Sequence, residues 1–115
     1  MDAIEQLKLR LRQFAVDRDW DQFHAPKNLA MALSGEVGEL LEHFQWLSEA
    51  ESAQLSVETL ALVADEMADV QLYLIRLADK LGIDLVDVAF KKIDKNAVKY
   101  PIDKSKGKSD KYTDL

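Results

Sequence analysis

Between Ser56 and Gly82 the apolar residues Leu60, Val63, Met67, Val70, Leu74, Leu77 and Leu81 recur at alternating spacings of four and three, with no Pro or Gly to break the run. A strand places every second residue on one face, so this pattern does not fit a sheet; it fits one stripe of a long helix that must bury itself against other helices. Ser56 supplies an N-cap and Gly82 a C-terminal stop. The segment therefore predicts the central rod of an all-α bundle, with the whole stripe packed as a seam.

The remaining chain reads the same way. Ile4, Leu7, Leu11 and Phe14 form a shorter stripe behind Asp2, predicting a first helix over about residues 3 to 17. Pro26 suits the first turn of a second helix with Leu29, Leu33, Val37, Leu40 and Phe44 facing inward. Ser48 to Ser56 is a polar connection with room for one helical turn. A fourth helix starts at Asp84, carries Val86, Phe90, Ile93 and Ala97, and ends at Pro101. These four helices make one domain, residues 1–101, followed by a polar and flexible tail, residues 102–115. The modest core of a 115-residue chain favours completion by oligomerisation.

Composition narrows the chemistry. With no cysteine there is no disulfide frame, thiolate metal site or cysteine nucleophile. A net charge of −6 argues against nucleic-acid binding, which demands Lys and Arg. The N-terminus lacks a basic and apolar leader, and no run approaches the roughly 20 apolar residues of a membrane span, so a soluble cytoplasmic protein with no membrane partner is expected.

Two acidic pairs stand beside the apolar stripes. Glu36-Val37-Gly38-Glu39 lies on the second helix and Glu66-Met67-Ala68-Asp69 on the third, each an i,i+3 couple projecting two carboxylates from one face. Acid pairs on helices are usually solvated, as expected for Glu5, Glu49, Glu51 and Glu58. The two singled out border the most apolar segments and lack the Lys partners that stabilise a helix surface. If their helices pack antiparallel, all four acids meet, and a hard dication, Mg²⁺ or Mn²⁺, resolves the repulsion. Such a site serves phosphate chemistry, with Glu36 or Glu39 activating water. A di-iron carboxylate bundle would need Glu-x-x-His pairs, and His43 falls four residues after Glu39, at the wrong spacing. Gly35 and Gly38 flank the first acid and suggest close approach by a ligand or another backbone.

Aromatic and cationic groups accompany the acids. Trp20 in a polar loop, Trp46 at a helix end and Tyr73 one turn beyond Asp69 can stack on a nucleobase, whereas Phe23 reads as core. His24 either bonds the ligand or closes its loop. Lys92, Asn96 and Tyr100 share one face of the fourth helix and offer phosphate or sugar contacts; Lys27 is a weaker phosphate candidate at a helix start. His43 reads as a packing or solvent-facing residue.

Four stretches taken together, RDWDQFHAPKNL over 18–29, GEVGELLEHFQW over 35–46, DEMADV over 65–70 and KIDKNAVKYP over 92–101, resemble the MazG-like nucleotide pyrophosphohydrolases, and among them the dCTP pyrophosphatase branch. The resemblance implies an all-α dimer or dimer of dimers that splits a nucleoside triphosphate between its α- and β-phosphates. It implies Mg²⁺ on Glu36, Glu39, Glu66 and Asp69, nucleoside contacts from Trp20, His24, Trp46 and Tyr73, phosphate or sugar contacts from Lys92, Asn96 and Tyr100, and a pocket built across subunits. Lys27 stands where relatives often carry Arg, Leu11 where some carry a polar residue or His, and His43 where an apolar residue is usual; these departures bear on base preference more than on reaction type. The expectation is a homo-oligomeric dCTP pyrophosphohydrolase for nucleotide-pool sanitation. The alternatives are the same reaction on dUTP, dATP or a modified base, or a non-enzymatic, antitoxin-like helical module.

Overall fold

The computed structural model describes residues Met1–Leu115 and contains six α-helices, two short 3-10 turns and no strand. The helices are α1 (Ala3–Asp17), α2 (Pro26–Glu42), α3 (Glu49–Ser52), α4 (Val57–Leu81), α5 (Leu85–Lys99) and α6 (Ile102–Ser105), and the 3-10 turns cover Asp21–Phe23 and Tyr112–Asp114. The chain divides into two compact units, Met1–Gly82 and Ile83–Leu115. No helix is long and apolar enough to cross a membrane.

The predicted caps at Asp2, Ser56 and Asp84 form, and Ser48 adds one that was not predicted. Asp2, Ser48, Ser56 and Asp84 each accept a backbone N–H from the first turn that follows. Ser48 and Glu51 complete a reciprocal capping box, which makes the polar connection one helical turn. Gly82 ends α4 at φ 66°, a conformation that penalises any side chain with a Cβ, and its N–H returns to the carbonyls of Ala78 and Asp79.

In the first unit α4 is the centre, packed on α2 and on α1. Ala15, Leu29, Val63, Ile75 and Ala78 are buried, Leu29 completely. The seam on α4 departs from expectation. Val63 is buried and Val70 and Leu77 half-buried, but Leu60, Met67, Leu74 and Leu81 are 57, 57, 41 and 52% exposed. The exposed four sit seven residues apart, so the stripe is two stripes: one grips this chain's own helices and the other faces outward. Val37 on α2 is likewise exposed. Phe23 lies on the surface rather than in the core.

The second unit holds α5, α6 and the C-terminal turn. The expected inward face of α5 is exposed at Val86, Phe90 and Ile93. These residues, with Leu85 and Ala89, line a shallow apolar depression. Within the tail, the Tyr112 ring meets Tyr100 edge-on at 6.1 Å and accepts the Lys99 ammonium over its face at 4.8 Å.

Candidate metal and nucleotide site

The packing of α4 on α2 brings the acidic pairs together. One carboxylate oxygen from each of Glu36, Glu39 and Glu66 lies within 4.8 Å of the other two. Asp69 falls outside this group of three, yet its charge helps push the Glu36 and Glu66 carboxyls up. Burial is the largest cause of both upward shifts, followed by hydrogen bonding and charge repulsion from Glu39. His43 turns toward the cluster, its Nε2 at 3.8 Å from Glu66, and opposes the shift there. Beside His43 a depression of about 560 Å³ opens, lined also by Leu47, Glu51, Gln54, Ser56 and Thr59.

Glu36 Oε2 and Glu66 Oε2 are buried and have no hydrogen-bond partner. Buried carboxylate oxygens are normally satisfied, and two orphans in one acidic cluster fit a cation that the protein does not itself supply. The donor set is all oxygen, which suits Mg²⁺ or Mn²⁺. A Cβ at Gly35 or Gly38 would meet nothing within 4 Å, so the expected close approach does not occur inside this chain.

Asp69 also lines a second cavity of about 250 Å³, with Leu11, Trp20, His24, Tyr73 and Arg76 around it. The loop after α1 shapes this wall. Asp19 takes a left-handed turn at φ 55°, and the Trp20 N–H bonds back to the Ala15 carbonyl at 2.9 Å. That reversal sets the Trp20 ring edge-on to Phe14 at 5.7 Å, while the Arg18 guanidinium covers Phe14 at 3.5 Å. Trp20, His24 and Tyr73 thus share one cavity with Asp69.

Other candidates lie elsewhere. Trp46 follows α2 and is 88% exposed, outside this cavity, because the turn over residues 43–46 carries it off the end of the helix. Lys27 is exposed in the first turn of α2. Lys92, Asn96 and Tyr100 belong to the second unit, on α5 and its C-cap.

Sequence reasoning placed Arg76 on one stripe with Glu66, Asp69 and Tyr73 but gave no role to the groups that brace the cavity. Arg76 is only 6% exposed and donates to His24 Nδ1 at 3.1 Å, to Asp21 at 2.6 Å and to Asp79 at 3.4 Å. Arg12 grips Asp79 with two bonds of 2.6 and 2.7 Å, and Lys80 reaches Asp21 at 2.5 Å. These bonds hold the Asp79 and Asp21 carboxyls below their usual range, Arg12 being the main cause for the first and Lys80 for the second. The available signal was an arginine inside an apolar helix with an acid three residues on.

Comparison with known proteins gives the same reading. A sequence model described as the MazG-like family matches residues 31–115. The chain is 43% identical to dCTP pyrophosphatase 1 of Rattus norvegicus and 40% identical to that of Homo sapiens, each match spanning 98% of this chain and 68% of the relative. A crystal structure of a pyrophosphatase from Archaeoglobus fulgidus superposes with a TM-score of 0.82 at 40% identity, covering 88% of this chain and 94% of that one. The acidic cluster, the adjoining aromatic cavity and these likenesses together make this chain a member of the MazG-like family.

Proposed function

We propose that this chain is a Mg²⁺-dependent pyrophosphohydrolase that converts dCTP to dCMP and pyrophosphate, keeping the cytoplasmic nucleotide pool clean. The observation that carries the proposal is the meeting of Glu36, Glu39 and Glu66, with two unpartnered buried oxygens, next to a cavity walled by Trp20, His24 and Tyr73. Likeness to proteins named dCTP pyrophosphatase supports the choice of substrate.

In this reading Glu36, Glu39 and Glu66 would hold the cation, with Asp69 completing the set from the wall of the aromatic cavity. The bound cation supplies charge neutralisation for the triphosphate, which an acidic pocket would otherwise repel. Glu36 or Glu39 takes a proton from water as its oxygen forms a bond to phosphorus; the α–β bridging P–O bond breaks and pyrophosphate leaves. Trp20 and Tyr73 stack on the base, and His24 bonds its edge. Lys92, Asn96 and Tyr100 meet phosphate or sugar, and Lys27 is a weaker phosphate contact. Residues 1–101 carry the activity and 102–115 are an accessory tail.

We further propose a homodimer or dimer of dimers. The exposed row Leu60, Met67, Leu74 and Leu81 covers 22 residues, about 31 Å of helix from first to last, at the seven-residue spacing of a helix–helix seam. Trp46, which this chain leaves exposed, would in this reading meet the base of a second copy's pocket. Sedimentation of Met67→Lys should show a lighter species than wild type.

The activity is tested by incubating a panel of nucleoside triphosphates with and without Mg²⁺ and separating the products. Monophosphate and pyrophosphate from dCTP, only with the metal, are expected. Diphosphate and orthophosphate would place cleavage at the wrong bond.

A further inference from the structure

The structure assigns Arg76 a positioning role: its Nε–H bond to His24 Nδ1 fixes His24 as the tautomer protonated on Nε2, so the aromatic cavity offers a hydrogen-bond donor to the O2 and N3 acceptors of cytosine. This rests on the reading of the site as a dCTP pocket.

A guanidinium has five N–H donors and no acceptor, so a nitrogen that bonds it must present a lone pair. His24 Nδ1 is therefore unprotonated, and in a neutral imidazole the proton resides on Nε2. Arg76 has little freedom to turn away, since it is buried and tied to Asp21 and Asp79, which are themselves held by Lys80 and Arg12. The charged groups around His24 are Arg76 and Lys80 from α4 and Asp21 from its own turn. Burial and then Arg76 move the imidazole toward its neutral form, with Asp21 opposing.

A locked tautomer reads bases differently from a free one. A rotating or exchanging imidazole could donate or accept. One whose Nδ1 is spoken for can only donate from its other nitrogen. Cytosine carries an acceptor at N3, whereas uracil carries N–H there, so a fixed donor on that edge favours cytosine and leaves uracil's proton facing another proton. Arg76 itself lines the cavity with His24, while Asp21 and Asp79, which balance its charge, stand outside that lining and hold it from behind.

Nitrogen NMR of uniformly labelled protein tests the assignment, with His43→Gln separating the signals of the two histidines. The expected wild-type spectrum shows His24 with one pyridine-like Nδ1 and one protonated Nε2 at neutral pH. In Arg76→Met, both aspartates keep another cation (Arg12 or Lys80), and His24 should become a tautomer mixture. That variant should raise KM for dCTP about tenfold, with a smaller change in kcat and a narrower preference over dUTP. Arg76→Lys should recover part of the loss. A wild-type His24 protonated on Nδ1, or an Arg76→Met protein with unchanged tautomer and KM, would overturn the inference. Should Arg76→Met fail to fold, the wild-type spectrum still decides the tautomer, and Arg76→Gln, whose amide bonds either form, replaces it. A wild type with the expected spectrum that does not hydrolyse dCTP supports the Arg76–His24 assignment and counts against the substrate.

Discussion

Helix α4 carries two charged clusters that obey opposite rules. Around Glu66 three carboxylates crowd within 4.8 Å, and two of their oxygens are buried without a partner. Around Arg76, ten residues on and about 15 Å along the axis, every acid is matched by a cation. Burial and mutual repulsion push carboxyls up in the first cluster, while guanidinium and ammonium bonds hold them down in the second. The matched network needs nothing from outside and braces the fold. The unmatched one is a standing deficit of positive charge, and such deficits mark sites that wait for a ligand.

Removing charge should therefore do opposite things in the two places. The largest effect is expected for Glu39→Gln: pyrophosphate release should fall by about 100-fold or more, while circular dichroism shows the helices intact. Retained turnover would remove Glu39 from the mechanism. Asp79→Asn, in the matched network, should instead cost on the order of 2 kcal/mol of stability, read as a lower Tm, because it leaves buried Arg76 short of a partner.

The smallest effect is a pH dependence that differs in sign between the clusters. Glu36 and Glu66 titrate above the ordinary 4.5 when folded, so without metal their contribution falls as pH rises from about 4.5 through the folded values. Asp21 and Asp79 titrate below 3.8, so their contribution is present above that value and lost as pH drops through the folded ones. Thermal melts across pH should show an acid-side loss that Mg²⁺ does not touch and a decline above about 4.5 that Mg²⁺ removes.

The sequence disclosed the helices well because their signals are local. Asp2, Ser56, Gly82 and Asp84 act on backbone atoms within one turn, so composition and spacing suffice. The acid pairs were legible because i,i+3 spacing fixes a common face. Which acids meet was not, since that depends on how α2 and α4 cross; Glu36, Glu39 and Glu66 converge and Asp69 stands at the edge. The stripe on α4 misled because periodicity shows that a face is apolar without saying whose surface covers it, and half of it points away from this chain. The role of Arg76 was not legible for a related reason. Its partners Asp21 and His24 are 55 and 52 residues away in the chain, brought to it by the loop after α1.

Calorimetric titration of the metal-free protein with Mn²⁺ goes most directly to the central claim that the α2–α4 acids form a cation site. Wild type should bind the ion and gain Tm with it, and Glu36→Gln/Glu66→Gln should do neither while melting no earlier than wild type without metal. Equal binding by the double variant, or no binding by wild type, would contradict the account.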